Sequence, residues 1–226
     1  RMKANSQSTN QQEETIKQVW NYLLREGDPV IELRGIHPEG SPPKVQHFCD
    51  SNYSSFTELK TAFEEQALAL NNEGLNIYST LNSIKPDFCG KAAKDQDVQS
   101  RRLLLIDIDR SGDTKQPANE EEAEYAKTLA QEVSTYLGIL GWPDPTRMMS
   151  GNGHHLYYRL TEIENNAETK NLIKRTLLNL ATRFNTPEVS IDTSVFNASR
   201  ITKIPGTIAR KGVESESRPY RMAVVL

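Results

Sequence analysis

The sequence is short of cysteine, of long apolar runs and of excess charge. Its 226 residues include two cysteines, Cys49 and Cys89, too few for a disulfide framework, so a reducing cytoplasm is the expected setting. No stretch approaches the roughly 20 consecutive apolar residues that a membrane-spanning helix needs, and no signal-peptide pattern stands at the start. A membrane is therefore not among the expected partners. The net charge of -3 argues against a surface coated in basic residues. It does not exclude nucleic acid, because a local basic groove is enough to hold a phosphate backbone. What remains is an ordinary globular composition, long enough for one large domain or two small subdomains sharing a core.

Local patterning divides the chain. Residues 1–12, polar and rich in Ser, Asn and Gln, read as a disordered lead or an expression remnant, with 13–226 a single folded unit. Ile16, Val19, Trp20, Leu23 and Leu24 recur at helical spacing and stop at Gly27. Val30–Leu33 and Val45–Phe48 form a candidate hairpin, and Thr57 is placed to cap a helix carrying Leu59, Ala62, Phe63, Ala67 and Leu70. Strands are expected over 75–81, 103–109, 146–149, 154–160, 189–192, 200–204 and 221–226. Helices are expected over 120–137 and 168–184. This alternation points to an α+β protein with antiparallel sheets. The apolar strand at Val225-Leu226 suggests a piece excised from a longer protein.

The chain is organised around Leu103-Leu104-Leu105-Ile106-Asp107-Ile108-Asp109, a buried strand running into the turn Arg110–Asp113. Alternation puts Leu103, Leu105, Asp107 and Asp109 on one face. Two carboxylates roughly 7 Å apart at their Cα atoms repel unless a positive object lies between them, and a divalent metal ion is the economical one. Asp-x-Asp at the end of a strand facing water is the competing reading.

Two further constellations add to it. Ser150-Gly151-Asn152-Gly153-His154-His155 offers a tight turn whose N–H groups and Ser150 hydroxyl could cradle phosphate oxygens, with one histidine facing the same ligand. An ordinary hairpin turn is the alternative. Asp192, ending the strand Val189–Asp192, would complete a site for two metal ions about 4 Å apart, or simply cap a turn. Arg200 and Lys203 suit triphosphate oxygens, as a fork and a point charge. The basic residues from Arg200 to Arg221 hint at a polyanion, although a solvated loop explains them as cheaply.

Asp107-x-Asp109, then Ser150-Gly-Asn-Gly-His-His155, then Ile191-Asp192 followed by Arg-Ile-x-Lys-Ile-Pro-Gly-Thr, resembles the archaeo-eukaryotic primase superfamily, and within it the bifunctional primase/polymerase domain of plasmids, phages and mobile elements. The likeness extends from about Val30 onward, including Tyr78-Ser79-Thr80-Leu81-Asn82 and Arg218-Pro219-Tyr220-Arg221. It implies an RRM-like antiparallel catalytic sheet with flanking helices (about 101–226) beside a packed N-terminal α/β subdomain (about 13–100). It implies that Asp107, Asp109 and Asp192 hold two divalent cations, Mg2+ or Mn2+, and that Ser150, Gly151, Gly153 and His155 meet the phosphates of an incoming NTP or dNTP. Arg200 and Lys203 are carried over to the triphosphate, and a single-stranded DNA template is the implied partner. The implied reaction is two-metal nucleotidyl transfer with de novo priming and primer extension, with His155 among the catalytic residues. A second triphosphate site for the initiating nucleotide would use the stretch Arg210–Arg221. A helicase or accessory domain after residue 226 is also implied by the resemblance alone.

Some members of that superfamily carry zinc. Here His37, His47, Cys49 and Cys89 match no compact zinc spacing, so zinc is not expected. Two other functions compete: a rolling-circle or relaxase-type endonuclease, which needs a His-hydrophobic-His pair and a nucleophilic tyrosine, and a catalytically silent nucleic-acid-binding module.

Overall fold

The computed structural model describes residues 2–112 and 114–226. Arg1 and Asp113, the last residue of the expected turn after the Asp strand, lie outside the described residues. The chain opens with α1 (Met2–Ile16) and the short α2 (Val19–Tyr22). The expected unstructured lead through Gln12 is therefore helical. Gln12 anchors it, donating from Nε2 to the Gly206 carbonyl at 3.1 Å, and Ile16 is fully buried.

Next come the hairpin β1 (Val30–Ile36) and β2 (Lys44–Cys49), α3 (Phe56–Asn72), β3 (Asn76–Thr80) and the long β4 (Ser100–Arg110). The cap of α3 is Ser55, whose Oγ accepts from Glu58 N–H at 3.2 Å, and not Thr57. Leu59, Phe63, Ala67 and Leu70 follow at near-helical intervals and are buried. α4 (Glu120–Ile139) starts from a reciprocal capping box between Asn119 and Glu122. β5 (Thr146–Met149), β6 (His154–Glu164), α5 (Ala167–Phe184) and β7 (Val189–Ile191) follow. The chain closes with β8 (Ile201–Lys203), β9 (Ile208–Ala209), β10 (Arg221–Met222) and β11 (Val224–Val225). β9 is too short to leave a pattern in the sequence, and Ala223 splits the expected final strand in two.

All strand pairs are antiparallel, in the α+β arrangement expected. One sheet has the order β2-β1-β3-β8, the other β11-β5-β6-β4-β7, and β9 and β10 form a ribbon. β8 belongs to the second half of the chain yet closes the first sheet by pairing with β3. The main buried apolar cluster runs through both sheets, from Ile16 to Ala223, with a small second one at Val30, Ile84 and Ala93. β4 lies between β6 and β7 with α4 packed against the sheet, and its residues from Arg101 to Ile106 are buried.

The start of β4 is fixed by a buried ion pair. Arg102 donates to both Asp28 carboxylate oxygens, at 2.5 and 2.8 Å, and to the Leu23 carbonyl at 2.6 Å. Ser83 Oγ completes the Asp28 shell at 2.8 Å. No helix among the described residues is long and apolar enough to cross a membrane.

Candidate active site

The two sheets meet along a cleft of about 440 Å3. One wall is β4 and β6, presenting Leu105, Asp107, Asp109 and His155. The facing wall is β3 and β8, presenting Asn76, Tyr78, Thr202 and Lys203. Ser150, Asn152, Arg200, Arg210 and Lys211 close the rim.

Strand alternation works as the sequence implied. Asp107 and Asp109 share the cleft face, leaving Leu104, Ile106 and Ile108 to the opposite face. Across the ladder Asp107 pairs with His155 and Ile108 with His154. His155 Nε2 comes within 3.3 Å of Asp107 Oδ1. His154 turns away, into a separate hollow beside Lys127, Asp144 and Arg147. Burial lowers the pKa of His154 to about 4, with His155 next in effect, so it is a neutral side chain on the far face.

His155 is held from behind. Its Nδ1 lies 2.9 Å from the Tyr157 hydroxyl, which lies 2.6 Å from Thr202 Oγ1. If Thr202 donates to Tyr157 and Tyr157 to Nδ1, the proton of the ring sits on Nε2 and points at Asp107. Tyr157 and Thr202 were invisible as site residues in the sequence. The period-two spacing of His155 and Tyr157 was a signal, but nothing linked Thr202 to them.

The two carboxylates differ electrostatically. For Asp107, burial pushes the pKa up, but His155, Arg200 and Lys211 outweigh it, and the net shift is downward. For Asp109, burial and the neighbouring Asp107 charge push the pKa up, beyond what Lys211 and Arg110 offset. Two like charges side by side in a part-buried cleft favour a bound cation, and an all-oxygen carboxylate donor set suits a hard divalent ion.

Asp192 lies beside this pair. Its backbone N–H donates to the Asp107 carbonyl at 2.8 Å. Ile108 pairs with Ile191, so continuing the register sets Asp192 opposite Asp107. Its carboxylate, however, accepts from Ser194 N–H at 2.7 Å and is not part of the cleft lining. Among the described residues no three His, Cys, Asp or Glu side chains are grouped tightly enough to hold a metal ion. Of the zinc candidates, His47 binds Glu32 and His37 lines the cleft.

The glycine turn differs from the expected cradle. Gly151 N–H is turned to Met149 Sδ at 2.9 Å, and Gly153 N–H donates to Ser150 Oγ at 3.2 Å. The glycines serve close packing instead. A Cβ on Gly153 would sit 2.3 Å from the Ile108 carbonyl oxygen, and one on Gly151, at φ +104°, would sit 2.3 Å from Ala209 Cβ. They press the turn against β4 and β9, which brings Ser150 and Asn152 to the rim.

The basic stretch also divides. Arg200 is oriented by Asn197 Oδ1 at 2.9 Å and the Ser194 carbonyl at 2.8 Å. Arg210 and Lys211 line the cleft, whereas Arg218 clamps Glu122 and Arg221 reaches the Ala118 carbonyl, so these two are structural. Lys203 is 3% exposed and sits 5.2 Å from the Tyr78 ring centroid, with Asn76 Oδ1 at 3.2 Å. Burial first, and Arg210 second, push its pKa down to about 7.

The unfolded chain holds the Lys203 proton up to about pH 10.5, so the penalty is largest below pH 7 and fades as pH rises toward 10.5. Lys203→Met should therefore raise the unfolding midpoint most near pH 6 to 7. Wild-type affinity for a nucleoside triphosphate should fall several-fold from about pH 7 to 9 as the ammonium is lost, and the variant should lack that dependence. Calorimetry across this range checks both, and an unchanged pH profile in the variant would remove Lys203 from anion binding.

Neither a family model nor a curated protein matches the sequence. Solved structures do share the fold. The AEP domain of the cyanophage S-2L primase-polymerase superposes with a TM-score of 0.54 at 12% identity, covering 94% of this chain and 88% of that one. The polymerase domain of Mycobacterium tuberculosis ligase D, solved in complex with DNA, gives 0.53 at 16% identity, covering 95% and 80%. Primase RepB' gives 0.52 at 9% identity, covering 95% of this chain, which spans 56% of that one. The chain shares the fold of these primase and polymerase domains, as the resemblance implied.

Proposed function

We propose that the protein is a nucleotidyltransferase of the primase-polymerase kind, joining nucleoside triphosphates on a single-stranded DNA template. The observation that carries this reading is the charge layout of one cleft. An acidic floor, Asp107 and Asp109 with His155 on Asp107, faces Lys203 on the opposite wall and a basic rim of Arg200, Arg210 and Lys211. A carboxylate floor alone would repel a triphosphate, and a basic rim alone would need no carboxylates. Together they suit a triphosphate accompanied by cations.

Asp107 and Asp109 would hold those cations, and Asp192, opposite Asp107 in the register, would join them by releasing its carboxylate from Ser194 N–H. When bound, magnesium or manganese would lower the pKa of the attacking 3′-hydroxyl and neutralise the departing pyrophosphate. The chain's own groups then have separate tasks. Arg200, locked by Asn197 and Ser194, offers a fixed fork to phosphate oxygens, and Lys203 adds a point charge from the opposite wall. His155 is held between Asp107 and Tyr157, and with its proton on Nε2 it would offer that N–H to a phosphate oxygen at the floor. Ser150 bounds the same space.

The opposed histidines speak against a relaxase-type endonuclease, because just one of them faces the carboxylates. The deciding assay is a single-stranded template with labelled nucleotides and Mg2+ or Mn2+, with and without primer. Extended and primer-free products are expected. Strand cleavage with a covalent tyrosyl adduct would overturn the assignment.

Starting a chain requires a second triphosphate in place of a primer end. Arg210 and Lys211 are the groups offered to it, since Arg218 and Arg221 are tied to Glu122 and Glu120 of α4. Arg210→Glu/Lys211→Glu should depress primer-free synthesis about tenfold more than primer extension, the scale of one charge-assisted hydrogen bond. Equal losses would assign both residues to the elongating nucleotide.

A further inference from the structure

Outside the cleft, α5 carries Lys170, Lys174, Arg175 and Arg183 against Glu168. Lys170 and Lys174, four residues apart, share one side of the helix, whereas Arg183 stacks on Tyr136. That lysine side lies next to the loop that joins Asp192 to Arg200. That loop is stapled at several points. Asp95 accepts from Ser199 N–H at 3.0 Å and from Ser199 Oγ at 2.9 Å, and Arg101 Nη1 donates to the Phe196 carbonyl at 2.8 Å. At its bend the half-buried Phe196 has the ammoniums of Lys170 and Lys174 over its ring, 5.7 and 5.3 Å from the centroid.

Two ammoniums over one ring repel each other, and exposed ion pairs such as Lys170 with Asp95 contribute little to folding. The arrangement gains a purpose if an anion shares it. An aromatic ring flanked by lysines is how proteins hold an unpaired strand: a base stacks on the ring while the cations move onto the adjoining phosphates. Four residues further on, Arg200 reaches the cleft.

We propose that Phe196, Lys170 and Lys174 form a track for single-stranded nucleic acid leaving the cleft, with a base at Phe196 and phosphates at the lysines. This rests on the reading of the cleft as a templated nucleotidyltransferase site.

The test is fluorescence anisotropy with a labelled oligothymidylate of about 20 nucleotides. Lys170→Gln/Lys174→Gln should weaken binding about tenfold or more at low salt. It should also flatten the slope of log affinity against log salt by about 1.4, or about 0.7 for each phosphate no longer neutralised. Phe196→Leu, which keeps an apolar side chain on the core, should weaken binding about fivefold or more with the slope unchanged. Lys127→Gln on α4 should change neither. Unaltered affinity and slope in the α5 double variant would overturn the track. So would a polyglutamate of equal charge that competes as well as the oligonucleotide. If the variants behave as expected but the wild-type protein incorporates no nucleotide, the track stands and the cleft assignment falls.

Discussion

Asp107→Asn is expected to reduce templated nucleotide incorporation by on the order of 10³-fold, the scale of losing one preorganised charge at a reacting centre. The residue is where three features converge: the neighbouring carboxylate of Asp109, the Nε2 of His155 at 3.3 Å, and the Asp192 backbone at 2.8 Å. Replacing it with the near-isosteric amide removes the charge and leaves the shape. The fold should tolerate the change. His155, Arg200 and Lys211 outweigh burial in favouring the Asp107 charge, so its loss should lower the melting temperature modestly and leave the fold intact. A second readout separates metal binding from turnover. Added Mg2+ or Mn2+ should raise the wild-type melting temperature, because a ligand bound to the native state stabilises it by mass action, and should do so much less for the variant. Full activity in Asp107→Asn would end the assignment of the acidic floor to catalysis.

Asp28→Asn is expected to destabilise the protein by about 3–5 kcal/mol, because it strips the partner from a buried guanidinium. Asp28 is 3% exposed and Arg102 8% exposed, and together they make a two-pronged contact with Ser83 and the Leu23 carbonyl as further partners. For a chain of this length the loss corresponds to a melting temperature lower by roughly 6–20 °C. The double variant Asp28→Leu/Arg102→Met should recover much of that, since removing both charges also removes the cost of burying them. A loss below about 1 kcal/mol in the single variant would show that Arg102 finds water or another partner. Because Arg102 lies on β4, five residues before Asp107, the single variant should also disturb the cleft.

The elements that carry long periodic patterns were legible from the residues. The Asp strand, the hairpin, α4 and α5 stand where apolar spacing put them, because their burial is set by local alternation. The pairing of His155 with Asp107 was legible as a shared face but not as a contact, since register is fixed by tertiary packing. What sequence patterns could not show falls into two kinds. One is buried polar partnership across long separations, such as Asp28 with Arg102 or Tyr157 with Thr202, because nothing local marks a charge or hydroxyl for burial. The other is competition for hydrogen bonds. The glycine N–H groups read as free for phosphate are turned to Met149 and Ser150 instead, and the Asp192 carboxylate is satisfied by its own turn. Lys170 and Lys174 were in plain view at helical spacing, but their meaning depends on Phe196, which arrives from a distant loop.

The exchange of β8 into the first sheet has a mechanical consequence. β8 moves with β3, yet Thr202 on it lies 2.6 Å from the Tyr157 hydroxyl of the other sheet, and one apolar cluster fills the space behind both. Prising the walls apart would wet that cluster and break the contact, so the cleft is a fixed notch, loaded and emptied across its rim.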